Sequence, residues 1–253
     1  MPDLTNHILV FTRAGALLVA FPLFSATNIP VQLRVALAAL CAFLIAPLLP
    51  PSHIDHLTLW GLLRLMFVEV SVGLLLGLVC RLVFFAVEFA GGIATNEMGL
   101  SLATVFNPSS GSAMGAPSMV LYWLAIMILL SCNLHHWMIA AFKNSYVWVP
   151  VGAAHLSQPL LYDIIQRTNQ LFRIGVQIAA PLIAVSFVIT IVFSTLSRAV
   201  PQMNVFSDSF SVRTLAGMAV FGLTCNLMAQ NIQNYLQRIP SDLQKVAQLL
   251  GHG

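Results

Sequence analysis

Residues 174–196 read IGVQIAAPLIAVSFVITIVFSTL, and no charged side chain stands between Arg173 and Arg198. A helix that crosses a bilayer needs about 20 mostly apolar residues, and this run supplies them. The rest of the chain is of the same kind. Of its 253 residues 58% are hydrophobic and 8% charged, against about a quarter charged in a soluble domain. Eleven Lys plus Arg and eight Asp plus Glu cannot coat a water-facing surface, so the apolar excess faces lipid or other apolar helices. The expected fold is all-α and polytopic, a single domain over 1–253.

Five more apolar runs flank the first, at 8–24, 33–49, 62–87, 119–142 and 212–236. Together they predict about six helical segments. Pro22, Pro30 and Pro47 break the first two, and Asn226, Gln230 and Asn231 make the second half of the last one polar. The net charge of +3 is spread thinly, which gives no footprint for nucleic acid. Cys41, Cys80, Cys132 and Cys225 lie in apolar runs without C-x-x-C spacing, as small buried hydrophobes do. The N-terminus has Asp3 and Arg13 but no basic leader, so the first segment is expected to be retained.

Charges inside the runs need an explanation. Arg13, Arg64, Glu69 and Arg81 fall within apolar segments, where each costs about 2.5–3.5 kcal/mol at the bilayer centre. Glu69 and Arg81 are about 18 Å apart along one helix and cannot meet; their expected partners are other chains. The basic residues barely distinguish the two sides, with Arg64, Lys143, Arg167, Arg173, Arg238 and Lys245 on one and Arg34, Arg81, Arg198 and Arg213 on the other. Weak asymmetry of this sort suits segments that form hairpins in a protein assembly.

The linkers differ in character. Residues 90–118, AGGIATNEMGLSLATVFNPSSGSAMGAPS, read as a small-residue loop with no charge after Glu97. Residues 143–173 read as a more polar connector, and 238–253 as an amphipathic tail carrying Leu243, Val246, Leu249 and Leu250. No internal repeat is visible. His135 and His136 point about 100° apart on a helix and cannot share a metal, so no metal or cofactor is expected. Ser109-Ser110-Gly111 lacks the G-x-S-G pattern of an intramembrane protease. An ion-coupled transporter could use Glu69, Glu88, Glu97 and Asp208, but the chain is short and shows no inverted repeat.

One string goes further. Residues 197–206, SRAVPQMNVF, place Arg198 in the last turn of a helix that Pro201 ends, with Gln202 and Asn204 able to satisfy unpaired backbone groups. This string resembles the signature of the FliR family of flagellar export-gate proteins and of their virulence-secretion counterparts, the SctT family. Arg13, Pro22, Pro30 and Arg34 are similar to the family's N-terminal pattern. Glu97-Met98-Gly99-Leu100-Ser101 with Asn107-Pro108 resembles its central block, although Glu97 stands where glutamine is usual and Asn107 where aspartate is usual. Met98-Gly99 favours the flagellar branch.

The resemblance implies a non-enzymatic conduit subunit in the bacterial inner membrane, within the flagellar basal body. FliP-like and FliQ-like subunits would be its ring partners, with FlhB-like and FlhA-like proteins beside them and unfolded protein as cargo. It implies an assembly motif of Arg198, Pro201, Gln202, Asn204 and Phe206. Arg13, Arg64, Glu69, Arg81 and Glu97 would then be charges satisfied within the assembly. The uncharged stretch from Phe106 to Ser118 is disfavoured as helix by its Pro and Gly residues. Its residues Phe106, Asn107, Pro108, Ser109, Ser110, Gly111, Ser112 and Met114 are the expected pore plug, since apolar constrictions can close by dewetting.

Overall fold

A computed structural model describes residues 2–25, 29–49, 58–101, 115–155, 157–200, 202 and 205–251. The described residues are helical almost throughout. Helix α1 (Pro2–Ala20) is followed by the short α2 (Pro22–Ser25), α3 (Val31–Ile45) and a 3-10 turn at Ala46–Leu48. Then come α4 (Leu59–Glu97), α5 (Ala116–Ser131), α6 (Leu134–Trp148), α7 (Gln158–Ala199), α8 (Val205–Leu236) and α9 (Ile239–Gly251). The prolines act as expected. Pro22 opens α2, Pro30 directly precedes α3 and Pro47 lies in the 3-10 turn.

Four helical stretches are long and apolar enough to cross a membrane, or five when the bent pair α5 and α6 is counted as one crossing. The run at 119–142 is therefore not one straight helix. It bends by 69° where Asn133 adopts a left-handed conformation with φ 54°, which Asn tolerates better than most residues. Other expected boundaries also moved. Residues 90–97 continue α4, and much of the connector at 143–173 is helical, closing α6 and opening α7.

Two compact units share the chain, interleaved along it. The first holds residues 1–83, 132–168 and 237–253. In it Leu9, Val10, Ala14, Leu17 and Leu18 form the buried stripe of α1, spaced as one helix face requires. Gly73 and Gly77 let α4 meet α1 backbone to backbone: a Cβ on Gly73 would stand 2.3 Å from the Arg13 carbonyl oxygen, and one on Gly77 2.4 Å from Ala20 Cβ. Helix α6 buries Leu134, Met138, Phe142 and Tyr146 on one face, and α9 buries Ile239, Leu243, Val246 and Leu250. The last carbonyls of α9 are capped from outside the helix. His155 N–H donates to Leu250 O at 3.1 Å and the Ser157 hydroxyl to Leu249 O at 3.2 Å, as a buried helix end demands.

The second unit holds residues 84–131 and 169–236. Its core includes Phe84, Val87, Ala90 and Ala94 of α4, Leu121, Ala125 and Leu129 of α5, Ile178 and Leu182 of α7, and Met228 and Ile232 of α8. Small residues again set the closest approaches. A Cβ on Gly91 would stand 2.4 Å from Ser118 Cα, and one on Gly175 2.5 Å from a ring carbon of Phe89.

Candidate functional site

The first unit is built around a charge. Arg13 lies in the buried stripe of α1 with no exposed surface, and Glu69 on α4 is equally buried. Arg13 Nε donates to Glu69 Oε2 at 2.6 Å and Nη2 to Oε1 at 3.1 Å. Nη1 donates to Ser145 Oγ at 3.2 Å and to Val149 O at 3.2 Å, and Nη2 also to Val149 O at 3.2 Å. All five guanidinium N–H groups are thereby used. Tyr146 lays its ring 4.0 Å from Cζ, adding a cation–π contact.

Glu69 has a second tie. The Gly152 N–H donates to its Oε1 at 2.9 Å. Gly152 sits at φ +75°, where a side chain would also run into Leu65 at 2.4 Å, so glycine is required there. The network joins α1, α4, α6 and the loop after α6. Its charges are neutralised in place and every guanidinium donor is met, so it clamps the unit and leaves no charge available to lipid. The buried Tyr146 hydroxyl alone in this cluster has no partner among the described residues.

For Arg13 and Glu69 this corrects the expectation that the charges of the apolar runs find their partners on other chains. Arg13 and Glu69 satisfy each other within the chain, and Arg81 donates to Ser25 Oγ at 2.9 Å. Arg64, in contrast, is exposed. In the second unit the Ser186 hydroxyl donates to the Glu97 carboxylate, and Arg213 Nη2 donates to Thr190 Oγ1 at 2.7 Å. Two hydroxyls one turn apart on α7 thus receive the two charges separately.

Four further charges join the start of α7 to α9. Asp163, 5% exposed, accepts from Arg167 Nε at 2.5 Å and Lys245 Nζ at 2.6 Å. Arg167 also reaches Asp242 at 2.8 Å. Two acids and two bases balance. Among the described residues no cluster of His, Cys, Asp and Glu has the makings of a metal site.

The expected plug residues Phe106, Asn107, Pro108, Ser109, Ser110, Gly111, Ser112 and Met114 lie outside the described residues. The nearest described backbone, at Met98–Gly99 before them and Gly115–Ser118 after them, makes close contacts. Thr214 donates to Met98 O at 3.0 Å, and Gly99, at φ +75°, lies against Phe210. On the far side a Cβ on Gly115 would stand 2.3 Å from the Thr95 side chain, and the Thr95 and Ser118 hydroxyls are 3.5 Å apart. The first stem is therefore held by α8 and the second by the last turns of α4. Of the expected assembly motif, Arg198 closes the last turn of α7 and Gln202 is exposed. Phe206 falls in the first turn of α8, while Pro201 and Asn204 lie outside the described residues.

Sequence reasoning missed Gly73, Gly77, Ser145, Tyr146, Gly152 and the Asp163 cluster. Two of these had a signal: Gly73-Leu-Leu-Leu-Gly77 is a G-x-x-x-G spacing in an apolar run.

Comparison with known proteins adds a family. The model described as bacterial export proteins, family 1, matches residues 4–239. A flagellar biosynthetic protein FliR of Caulobacter vibrioides is 31% identical over 227 residues, covering 87% of this chain and 88% of the relative. The protein of that name from Bacillus subtilis is 28% identical over 250 residues, 96% of this chain and 95% of its own. The one from Escherichia coli K12 is 26% identical over 227 residues, 90% and 87%.

Proposed function

Because the chain belongs to the bacterial export proteins, family 1, we propose that it is a wall subunit of a flagellar protein export gate in the bacterial inner membrane. The observation that carries this reading is the family match over residues 4–239, with relatives named as flagellar biosynthetic proteins along nearly their whole length. The structure supports it physically. A conduit wall needs apolar helices that hold their shape while a polypeptide passes, and the Arg13–Glu69 clamp with its close glycine contacts provides stiffness.

In this reading the subunit closes a helical ring with FliP-like and FliQ-like chains. FlhB-like and FlhA-like proteins dock on that ring, and cargo crosses unfolded. The stretch from Phe106 to Met114 seals the lumen, held by the stems at Met98–Gly99 and Gly115–Ser118. Arg198, Pro201, Gln202, Asn204 and Phe206 serve contacts between subunits.

Co-expression with the FliP-like and FliQ-like proteins of the same genome tests the assembly. The three should co-elute as one complex in mild detergent; a chain that elutes alone would overturn the reading. Deleting residues 109–114 in the assembled gate should raise ion leakage with the complex intact. Unchanged leakage would remove the plug from the proposal.

A further inference from the structure

Helix α8 has two opposite faces. Met228 and Ile232, 1% and 0% exposed, face the core of their unit. The other face presents Leu215, Ala219, Gly222, Asn226, Gln230 and Gln233, all exposed and spaced by threes and fours, so they form one line along the helix. None of the three amides has a hydrogen-bond partner among the described residues. No charged residue occurs from Thr214 through Gln237.

The outward face of α7 is different. It shows Phe187, Val188, Ile191 and Val192, 64%, 58%, 49% and 52% exposed, the bulky apolar side chains that suit lipid. Unpaired amides do not suit lipid, because their donors and acceptors would go unmet. Nor does the line resemble a solvated helix face, which carries Lys, Glu, Asp and Arg among its polar residues. An amide offers both a donor and an acceptor without charge. Its complement is another amide or a hydroxyl, and such pairs join helices in membranes. At the centre of the line, nothing lies within 4 Å of the place where a Gly222 Cβ would stand, which leaves room for a close neighbour.

We propose that this line on α8 is a docking seam for a helix of a partner subunit, one that presents Ser, Thr, Asn or Gln at matching three- and four-residue spacing. The seam rests on the reading of the chain as one subunit of a hetero-oligomeric gate. It adds which face makes the contact and what chemistry the partner must bring.

The test places single cysteines at Asn226, Gln230 and Gln233, with Val188→Cys as a control, in a chain whose four native cysteines are replaced by alanine. A small water-soluble maleimide is applied to detergent-solubilised chain alone and to the complex with the FliP-like and FliQ-like proteins. Co-elution reports assembly, and labelling reports the seam. All three seam positions should label in the lone chain and fall to background in the complex, while Val188→Cys labels equally in both. Labelling that persists in a complex that does co-elute would overturn the seam, make this face an aqueous lumen lining and leave the assembly reading intact. Failure to co-elute would overturn both. As a second measure, Gln230→Leu and Gln233→Leu should each lower recovery of the complex about threefold, the size of an average interhelical hydrogen bond, with Gln230→Ser milder. Full recovery of both leucine variants would also overturn the seam.

Discussion

Replacing Glu69 by alanine should be among the most damaging single changes in the first unit. The carboxylate takes two hydrogen bonds from Arg13, at 2.6 and 3.1 Å, and one from the Gly152 N–H at 2.9 Å. Without it the guanidinium stays fully buried, held only by the Ser145 hydroxyl, the Val149 carbonyl and the Tyr146 ring. Breaking one side of a buried pair costs about 3–5 kcal/mol. Two hydrogen bonds to a charged group, at about 1.5–3 kcal/mol each, give a similar figure. The variant is to be compared with the parent by denaturation in mild detergent, followed by tryptophan fluorescence. A double variant, Arg13→Met with Glu69→Leu, should lose less than either single one, because it leaves no uncompensated charge. If Glu69→Ala stays within about 1 kcal/mol of the parent, or the two changes simply add, the clamp is not what holds these helices.

Three further outcomes follow from contacts elsewhere. Gly73→Val should cost about 3 kcal/mol, the upper end for overpacking, because its Cβ would meet the backbone of α1; Gly92→Ala, with nothing within 4 Å, should be harmless in the same assay. Thr214→Val should remove about 1 kcal/mol and be seen as faster hydrogen exchange at Met98–Leu100, with unchanged exchange counting against the anchor. Asp163→Asn should loosen α9 by about 2 kcal/mol, measured as quicker proteolysis after Lys245 in the folded chain, and equal cleavage would show that α9 is held by its apolar face alone.

Composition and apolar runs were enough to indicate a helical membrane protein, and Pro22, Pro30 and Pro47 marked real breaks, because their effect on the backbone is local. The bend at Asn133 was not legible. The run from 119 to 142 contains no Pro or Gly, and a single left-handed Asn leaves no periodic trace. The pairing of Arg13 with Glu69 was hidden for another reason. The two stand 56 positions apart, and only the approach of α1 to α4 brings them together. Arg13 is the one charge of the run at 8–24 and Glu69 the one acid of the run at 62–87, which was a hint, and the G-x-x-x-G beginning at Gly73 showed where those runs could touch. The Asp163 cluster was masked by the reading of 143–173 as a connector. Once Asp163 and Arg167 are placed on a helix, their spacing is that of an ion pair.

The length of α7 has a consequence for how the chain meets lipid. Its 42 residues extend about 63 Å at the helical rise. Transmembrane helices tilt by up to about 40°, and at that angle a hydrocarbon layer of about 30 Å encloses roughly 26 residues. More than a full membrane leaflet's depth of helix therefore stands in water or against protein, whichever way the chain is inserted. That surplus is where Asp163, Arg167 and Arg173 are found. A helix so much longer than the layer it crosses has no single depth at which its ends match the lipid. In a thicker or thinner membrane it can slide along its axis instead of bending, and the neighbours that grip its ends, not the bilayer, decide how high it rides.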